Sequence, residues 1–571
     1  MATAVKIVEL RVLDGPNLYF PRPAVKLTLE VPGWLRAAPA TVRTAGDRLG
    51  VASARTPGGV NSQHRLRVAA RIAATVTRRL AVAAGARRLA VRARPVEGGR
   101  LVVAFPWRRR SAAEALARAA AEALGAVLRR SPERVIAELA ERVAAADPGE
   151  PPIVPDPDVP VIQVTGTNGK TTTTRLLAHL VTEAGRTVSY SSTDGVYRGT
   201  RRVRRGDYSG FGGAGLVLAT RPDIAVLETA RGGMLLRGIG VAHNDVAVVT
   251  NVSADHLDLQ GVHTVDQLAE VKGLITRITR PDGWDVLNAD DPRALAMRRH
   301  ATGRPWLFSL DHRHPAFREV LGEDGRCTTV LDGWIVVLEP GSLRRVVRLV
   351  DVPITLAGIS SIHAQNALAA TSAALAVGLP RRAVARGLRS FEMDPERNPG
   401  RANLFDLDGR IVVVDYAHNE EGMRGLTEIL QGLREPGREI WLAIGTAGDR
   451  NDAILRAFSR QAALGSDHLA IAELVHYLRG RTREDIVERL RAGAHEAGEE
   501  DVPVHQDELA ALRAMWSASS PSDVIGVTAL SMRTEVFRWL SRRSARRLSP
   551  ADVKRLVRRA SRRPASAARA R

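Results

Sequence analysis

Thr165-Gly166-Thr167-Asn168-Gly169-Lys170-Thr171-Thr172 joins an apolar run that starts at Val161 to a helical pattern that runs through Leu177. Apolar residues before the glycines read as a buried strand, and the threonines and leucines after them read as a helix. Glycines let the backbone turn tightly so that its N–H groups converge on anion oxygens, and the helix N-terminus adds positive potential at the same place. A lysine at position 170 reaches β- and γ-phosphates, and the Thr171 hydroxyl can take a place on Mg²⁺. The general phosphate-loop pattern has a glycine six positions before the lysine, where Val164 stands, so this loop is a compressed variant. Its chemistry is the binding of a nucleoside triphosphate.

Such a loop needs a metal-holding acid on a neighbouring strand. Glu228 closes the apolar run IAVLETA before the turn Arg231-Gly232-Gly233, at the carboxyl end of a strand, where ligand sites in parallel sheets are built. The next strand, VAVVTNV, leads into Ser253-Ala254-Asp255-His256-Leu257-Asp258, and His256 there can ligate a metal or meet a phosphate. Lys272 lies in QLAEVKGLI among apolar neighbours, an unusual setting for a solvated lysine. Asn288, Asp290 and Asp291 end the strand WDVLNAD on the same edge.

The elements that must position these residues form four segments. Residues 1–146 begin with short strand patterns and end in Ala-rich helices, an α+β domain. Residues 147–160 carry six prolines and read as an extended linker. From 161 to 393 strands alternate with helices, which indicates a parallel sheet covered on both faces. The alternation restarts at 394 and runs to 540 as a second, Rossmann-like α/β domain. Residues 541–571 hold twelve Lys/Arg against a single Asp, about half of the net charge of +21, and read as a disordered basic tail able to touch nucleic acid or another polyanion electrostatically. The single cysteine, Cys327, excludes an internal disulfide framework and a multi-cysteine metal site. No run of eighteen apolar residues and no secretory leader is present, so the sequence reads as a cytoplasmic protein without a membrane span.

TGTNGKT, the acid in ETARGG, the DHLD loop, the downstream lysine, LNADD, the arginine in PGRANLFDL and the DYAHN motif follow one another in an order that resembles the Mur ligase family. SSTDGVY, GDYSG, ETARGGML, AGDR and RGRTRED add details of its cyanophycin synthetase branch. This resemblance covers about 161–540, and KIVELRVLDGPNLY extends it more weakly to the first domain. It implies an ATP-dependent acid–amino acid ligase. ATP phosphorylates a carboxylate, and an amine attacks the acyl phosphate to give an amide, ADP and phosphate. Carried over residue by residue, Thr171 and Glu228 hold one Mg²⁺, and His256 with a carbamylated Lys272 holds the second. Asn288 meets adenine, Arg401 the γ-phosphate and Asp415 the ribose.

Two departures matter. The ATP-grasp domain of that branch has no counterpart between the first domain and residue 161. Only one acid, Glu473, stands in the segment before Arg479-Gly480-Arg481, so a positively charged loop is expected to favour an amine other than arginine. The substrates are then a small-molecule or peptide carboxylate and an amino acid. A folylpolyglutamate-type ligase and a catalytically silent, nucleotide-dependent binder of an anionic polymer are the alternatives, homo-oligomerisation is left open, and nucleic acid enters only through the tail.

Overall fold

The computed structural model describes residues 4–255 and 257–561. It contains two compact units. The first takes the chain as far as Asp158 together with Gly210–Leu216 and Ala230–His243. Its four-stranded antiparallel sheet, in the order Lys6–Leu13, Ala24–Glu30, Arg100–Pro106, Arg92–Val96, is backed by helices Gln63–Ala83, Arg110–Ala126 and Pro132–Ala144. Alternating apolar residues of the two central strands, such as Leu27, Leu29, Leu101 and Val103, pack with Trp34 of the short helix Pro32–Arg36 and with Ile72 and Leu80 of Gln63–Ala83 in one core. Asp14, nearly buried, is held by Arg237 at 2.5 Å and Arg110 at 3.4 Å. That pairing ties Ala230–His243 to the first unit, so this unit is not continuous in sequence as the expected boundary at 146 had it.

The second unit holds Val159–Ser209, Val217–Thr229 and Asn244–Arg571. Among its described residues eleven strands form one sheet and seven form another. In the larger sheet Val161–Thr165 lies between Ile224–Glu228 and Asn244–Val249, all parallel, and Thr279–Asn288, Arg304–Ser309 and Arg326–Leu331 continue the parallel array. Antiparallel hairpins finish both edges. Near-continuous apolar strands (Val161, Ile162, Val164; Val246–Val249) fit burial on both faces, as parallel sheets demand. The smaller sheet centres on Arg410–Asp415, Val524–Thr528, Ile440–Ile444 and His468–Ala472, also parallel. Cys327 is free and buried, and burial pushes its thiol up to about 12, so it packs as a small apolar residue. No helix among the described residues is long and apolar enough to cross a membrane.

The tail differs from expectation. Arg546–Arg547 pairs with Asp406 and Phe405, and Pro550–Ala560 is a helix started by a Ser549–Asp552 capping box. Leu548 and Val553 are buried, with Leu556 and Val557 packed beside them. Arg546 donates to Asp552 at 2.8 Å and Lys554 to Asp351 at 2.8 Å. Counting charge hid this stripe of apolar residues at helical spacing, and it hid the acids that neutralise the arginines. Residues 562–571 lie outside the described part.

Candidate functional site

Gly166 and Gly169 take φ of +153° and +86°, a backbone that only glycine adopts freely. A Cβ on Gly166 would lie 1.8 Å from the Thr250 hydroxyl, and one on Gly169 would lie 2.2 Å from Asn366 Oδ1. The turn is pinned from the adjacent strand exit. Asn251 Oδ1 accepts from the N–H groups of Thr167 (3.1 Å) and Asn168 (2.8 Å), and Thr250 donates to the Asn168 carbonyl at 2.6 Å. The amides free to meet an anion are therefore those of the first turn of helix Lys170–Glu183, which no side chain caps.

Parallel register sets Val164 beside Glu228 and Thr165 beside Val249, so three strand ends converge on this helix. Thr171 Oγ1 donates to Glu228 Oε1 at 3.0 Å, and the Thr193 amide reaches Oε2 at 3.4 Å. Glu228 is only 2% exposed. Burial raises its pKa, while Lys170, the Thr171 hydroxyl and Arg401 oppose the rise. Burial likewise lowers the pKa of Lys170, with Glu228 and Asp255 opposing it. Lys170 Nζ donates to the Thr167 carbonyl at 2.8 Å. Lys272 ends helix Val265–Lys272 and is 4% exposed, its Nζ donating to the Gly166 carbonyl at 2.5 Å. It is a buried lysine against the phosphate loop, not a surface one. Asn288 spends its amide on backbone, donating to Thr250 O at 2.7 Å and accepting from Asp290 N at 3.0 Å. That bonding holds the strand exit. His256 lies outside the described residues.

From the smaller sheet, Asp415 ends a strand and accepts from the Ala402 amide at 2.8 Å. Burial raises its pKa against the pull of Arg401, whose guanidinium lies 4.5 Å from the Tyr416 ring centre. Asn419 and Asn168 exchange two amide hydrogen bonds, at 3.1 and 3.2 Å, which bridges the DYAHN segment to the phosphate loop. A cavity of about 60 Å³ opens there, lined by Asn168, Gly169, His363, Asn366, Arg401 and Asp415 among others. His363 is held by Ser360 at 2.9 Å, and burial, aided by Arg401, pushes its pKa down to about 4, so it is neutral at pH 7. The buried Asn366 Nδ2 has no partner in the described structure. His363 and Asn366 were missed in the sequence. Their signal is a pair of polar residues three apart on the otherwise Ala- and Leu-rich helix Ser361–Ala376, one face of a turn.

The DHLD loop is tied to the second sheet through Asp255, which Arg450 and His418 approach at 3.5 Å each, and through Asp258, which accepts from Asn451 at 3.3 Å. The arginines of the RGRTRED stretch are each matched by acids. Arg479 pairs with Asp449, Arg481 with Asp452 and Asp485, and Arg483 with Glu473. The positive loop expected to turn away a basic amine is therefore neutralised. Glu473, Glu484 and Glu488 line an open groove beside it.

The Mur ligase middle domain matches residues 164–374, and the Mur ligase glutamate ligase domain matches residues 400–529. A cyanophycin synthetase of Crocosphaera subtropica is 39% identical over 316 residues, 55% of this chain and 36% of that protein. The chain thus spans just over a third of the length of that relative. A UDP-N-acetylmuramyl-tripeptide synthetase of Deinococcus radiodurans is 28% identical over 417 residues, covering 67% of this chain and 77% of that protein. Among solved structures, E. coli FolC in complex with DHPP and ADP superposes with a TM-score of 0.51 at 20% identity, over 68% of this chain and 91% of that one. A folylpolyglutamate synthase/dihydrofolate synthase of Yersinia pestis complexed with AMPPNP and Mn gives 0.52 at 18% identity, over 68% and 90%. These superpositions establish the shared fold.

Proposed function

Because this chain belongs to the Mur ligase family, we propose that it is an ATP-dependent C–N ligase joining a small-molecule or peptide carboxylate to an amino acid in the cytoplasm. The observation that carries the reading is the Thr171 hydroxyl 3.0 Å from the buried Glu228 carboxylate, under a helix N-terminus that no side chain caps. This donor set fits Mg²⁺, which is held by one or two protein oxygens, waters and substrate phosphates.

Bound ATP with Mg²⁺ supplies the phosphoryl group and the cation that offsets its charge. The chain supplies positioning and electrostatics. Lys170 and Arg401 place two positive charges around the transferred group. Burial raises the pKa of Glu228, and Lys170, the Thr171 hydroxyl and Arg401 oppose that rise by favouring its charged form. Neutral His363 and the unpartnered Asn366 amide line the cavity beside the loop, where they offer a donor and an acceptor to the nucleoside, and Asp415 is placed for its hydroxyls. A carboxylate oxygen of the substrate attacks phosphorus and ADP departs. The amine nitrogen then attacks the acyl carbon, loses a proton, and inorganic phosphate leaves. Lys272, buried against the loop, is the group whose carbamate would replace a cation by a metal-holding anion.

The test is ADP release from a panel of carboxylates and amino acids with Mg²⁺, with products weighed by mass spectrometry. At least one pair should give an amide product with stoichiometric ADP, and Lys170→Ala should abolish it while the circular dichroism spectrum is kept. Phosphate release by that variant at the wild-type rate would overturn the assignment.

A further inference from the structure

Arg201–Arg205 is the outermost strand of the eleven-stranded sheet, and all five of its residues, RRVRR, are exposed. It pairs along one side only, with Gly195–Arg198, and the register slips between Val196 and Tyr197. A strand with neither face buried adds nothing to the core, so its sequence answers to something other than packing. Four arginines stand on it and Arg198 on its neighbour, and among the described residues no side-chain hydrogen bond or ion pair engages any of the five. Some arginines elsewhere are matched by acids, as Arg298 is by Glu319 and Glu323 and Arg481 is by Asp452 and Asp485.

Both ends of the hairpin are rooted beside the phosphate loop. At its start, Thr193 contacts Thr171 and Glu228. At its end, the Tyr208 amide bonds the Ser192 carbonyl, and Asp207 adds its negative charge to the surroundings of Lys170. The acids at the two ends do not serve the arginines. Asp194 is held by Arg175 at 2.6 Å and faces Arg533 at 3.7 Å, and Asp207 accepts from its own Ser209.

We propose that this arginine hairpin binds an extended acidic peptide and guides its reacting carboxylate toward Glu228 and Lys170. The proposal rests on the ligase reading for the second half of that statement. Guanidinium forks pair bidentately with carboxylates, and five unmatched ones in eight residues make a local positive field that steers a polyanion. An acidic peptide fits better than single-stranded nucleic acid, because the strand carries no aromatic ring on which bases could stack. Carboxylate is also what the adjacent site consumes.

Fluorescein-labelled deca-aspartate is titrated by anisotropy into the full chain without nucleotide, at about 50 and 200 mM salt. The variant Arg201→Ser/Arg202→Ser/Arg204→Ser/Arg205→Ser should bind at least tenfold more weakly, with a shallower salt dependence. A charge-matched control, Arg381→Ser/Arg382→Ser/Arg386→Ser/Arg389→Ser on an exposed helix, should bind like wild type. Equal affinity of wild type and hairpin variant, an equal loss in the control, or tighter binding of a decathymidylate of similar charge would each overturn the proposal. Melting curves and titration of a fluorescent ATP analogue verify that the hairpin variant is folded with an intact phosphate loop. Because no nucleotide is present in the peptide titration, failure of the ligase reading would show separately, in the ADP assay.

Discussion

Asp285 has no exposed surface and lies in the strand that ends at Asn288. Its carboxylate accepts from Thr279 Oγ1 at 2.7 Å and from the Gly303 amide at 2.8 Å. These bonds favour the ionised form, yet burial outweighs them and raises the pKa from 3.8 to about 7. A carboxyl whose folded pKa exceeds its unfolded one contributes stability that is fully present below the unfolded value and is lost as pH rises through the folded one. The window is therefore pH 4 to 7, and the full displacement corresponds to roughly 4 kcal/mol, at 1.36 kcal/mol per pH unit. Asp285→Asn removes the titration while keeping the shape. Its Oδ1 can accept from Gly303, and its Nδ2 can donate to Thr279, whose hydroxyl also reaches the Ile275 carbonyl. Urea unfolding of wild type and variant, followed by tryptophan fluorescence at half-unit pH steps from 4 to 8, should show the variant gaining on wild type through that window and a constant difference above pH 7. Parallel stability curves would refute the reasoning, because they would mean that Asp285 is solvated or ionised at little cost.

Glu228→Gln keeps the shape and removes the charge expected to hold Mg²⁺, so ADP release at limiting Mg²⁺ should fall by two or more orders of magnitude, about 3 kcal/mol or more of transition-state stabilisation, with melting temperature preserved; near-normal turnover would remove it from the metal site. Gly169→Ala puts a methyl group 2.2 Å from Asn366 Oδ1 on a backbone of positive φ, so affinity for a fluorescent ATP analogue should drop at least tenfold, and unchanged affinity would show that the loop rearranges freely. Lys272→Ala should lose activity and regain part of it with added small carboxylates, while wild type slows when bicarbonate is stripped; full activity in both experiments would make Lys272 only a packing residue of the loop.

The phosphate loop was legible because everything it needs is contiguous. Gly166, Gly169, Lys170 and Thr171 are adjacent in sequence, and a strand before them and a helix after them fix their geometry. Glu228 and the alternation of strands and helices were legible for a related reason, since parallel strands end on one edge of the sheet whatever the details of packing. Arg401 and Asp415 came from their motifs, and the second sheet brings both to the cavity. What lay beyond the sequence depends on contacts between distant segments. Asn251 takes two loop amides, Asn288 serves backbone, and His363 with Asn366 supplies the cavity wall, because burial and hydrogen-bond partners are set only when helix Ser361–Ala376 docks against the loop. Charge misled in the same way. The arginines at 479 and 481 and those of Arg546–Arg547 read as free positive charge when counted along the chain, yet folding places acids from other elements against them. At Arg201–Arg205 it places none among the described residues. A sequence lists charges in order, but only the tertiary structure decides which of them are neutralised, since an ion pair depends on separations in space that no spacing along the chain records.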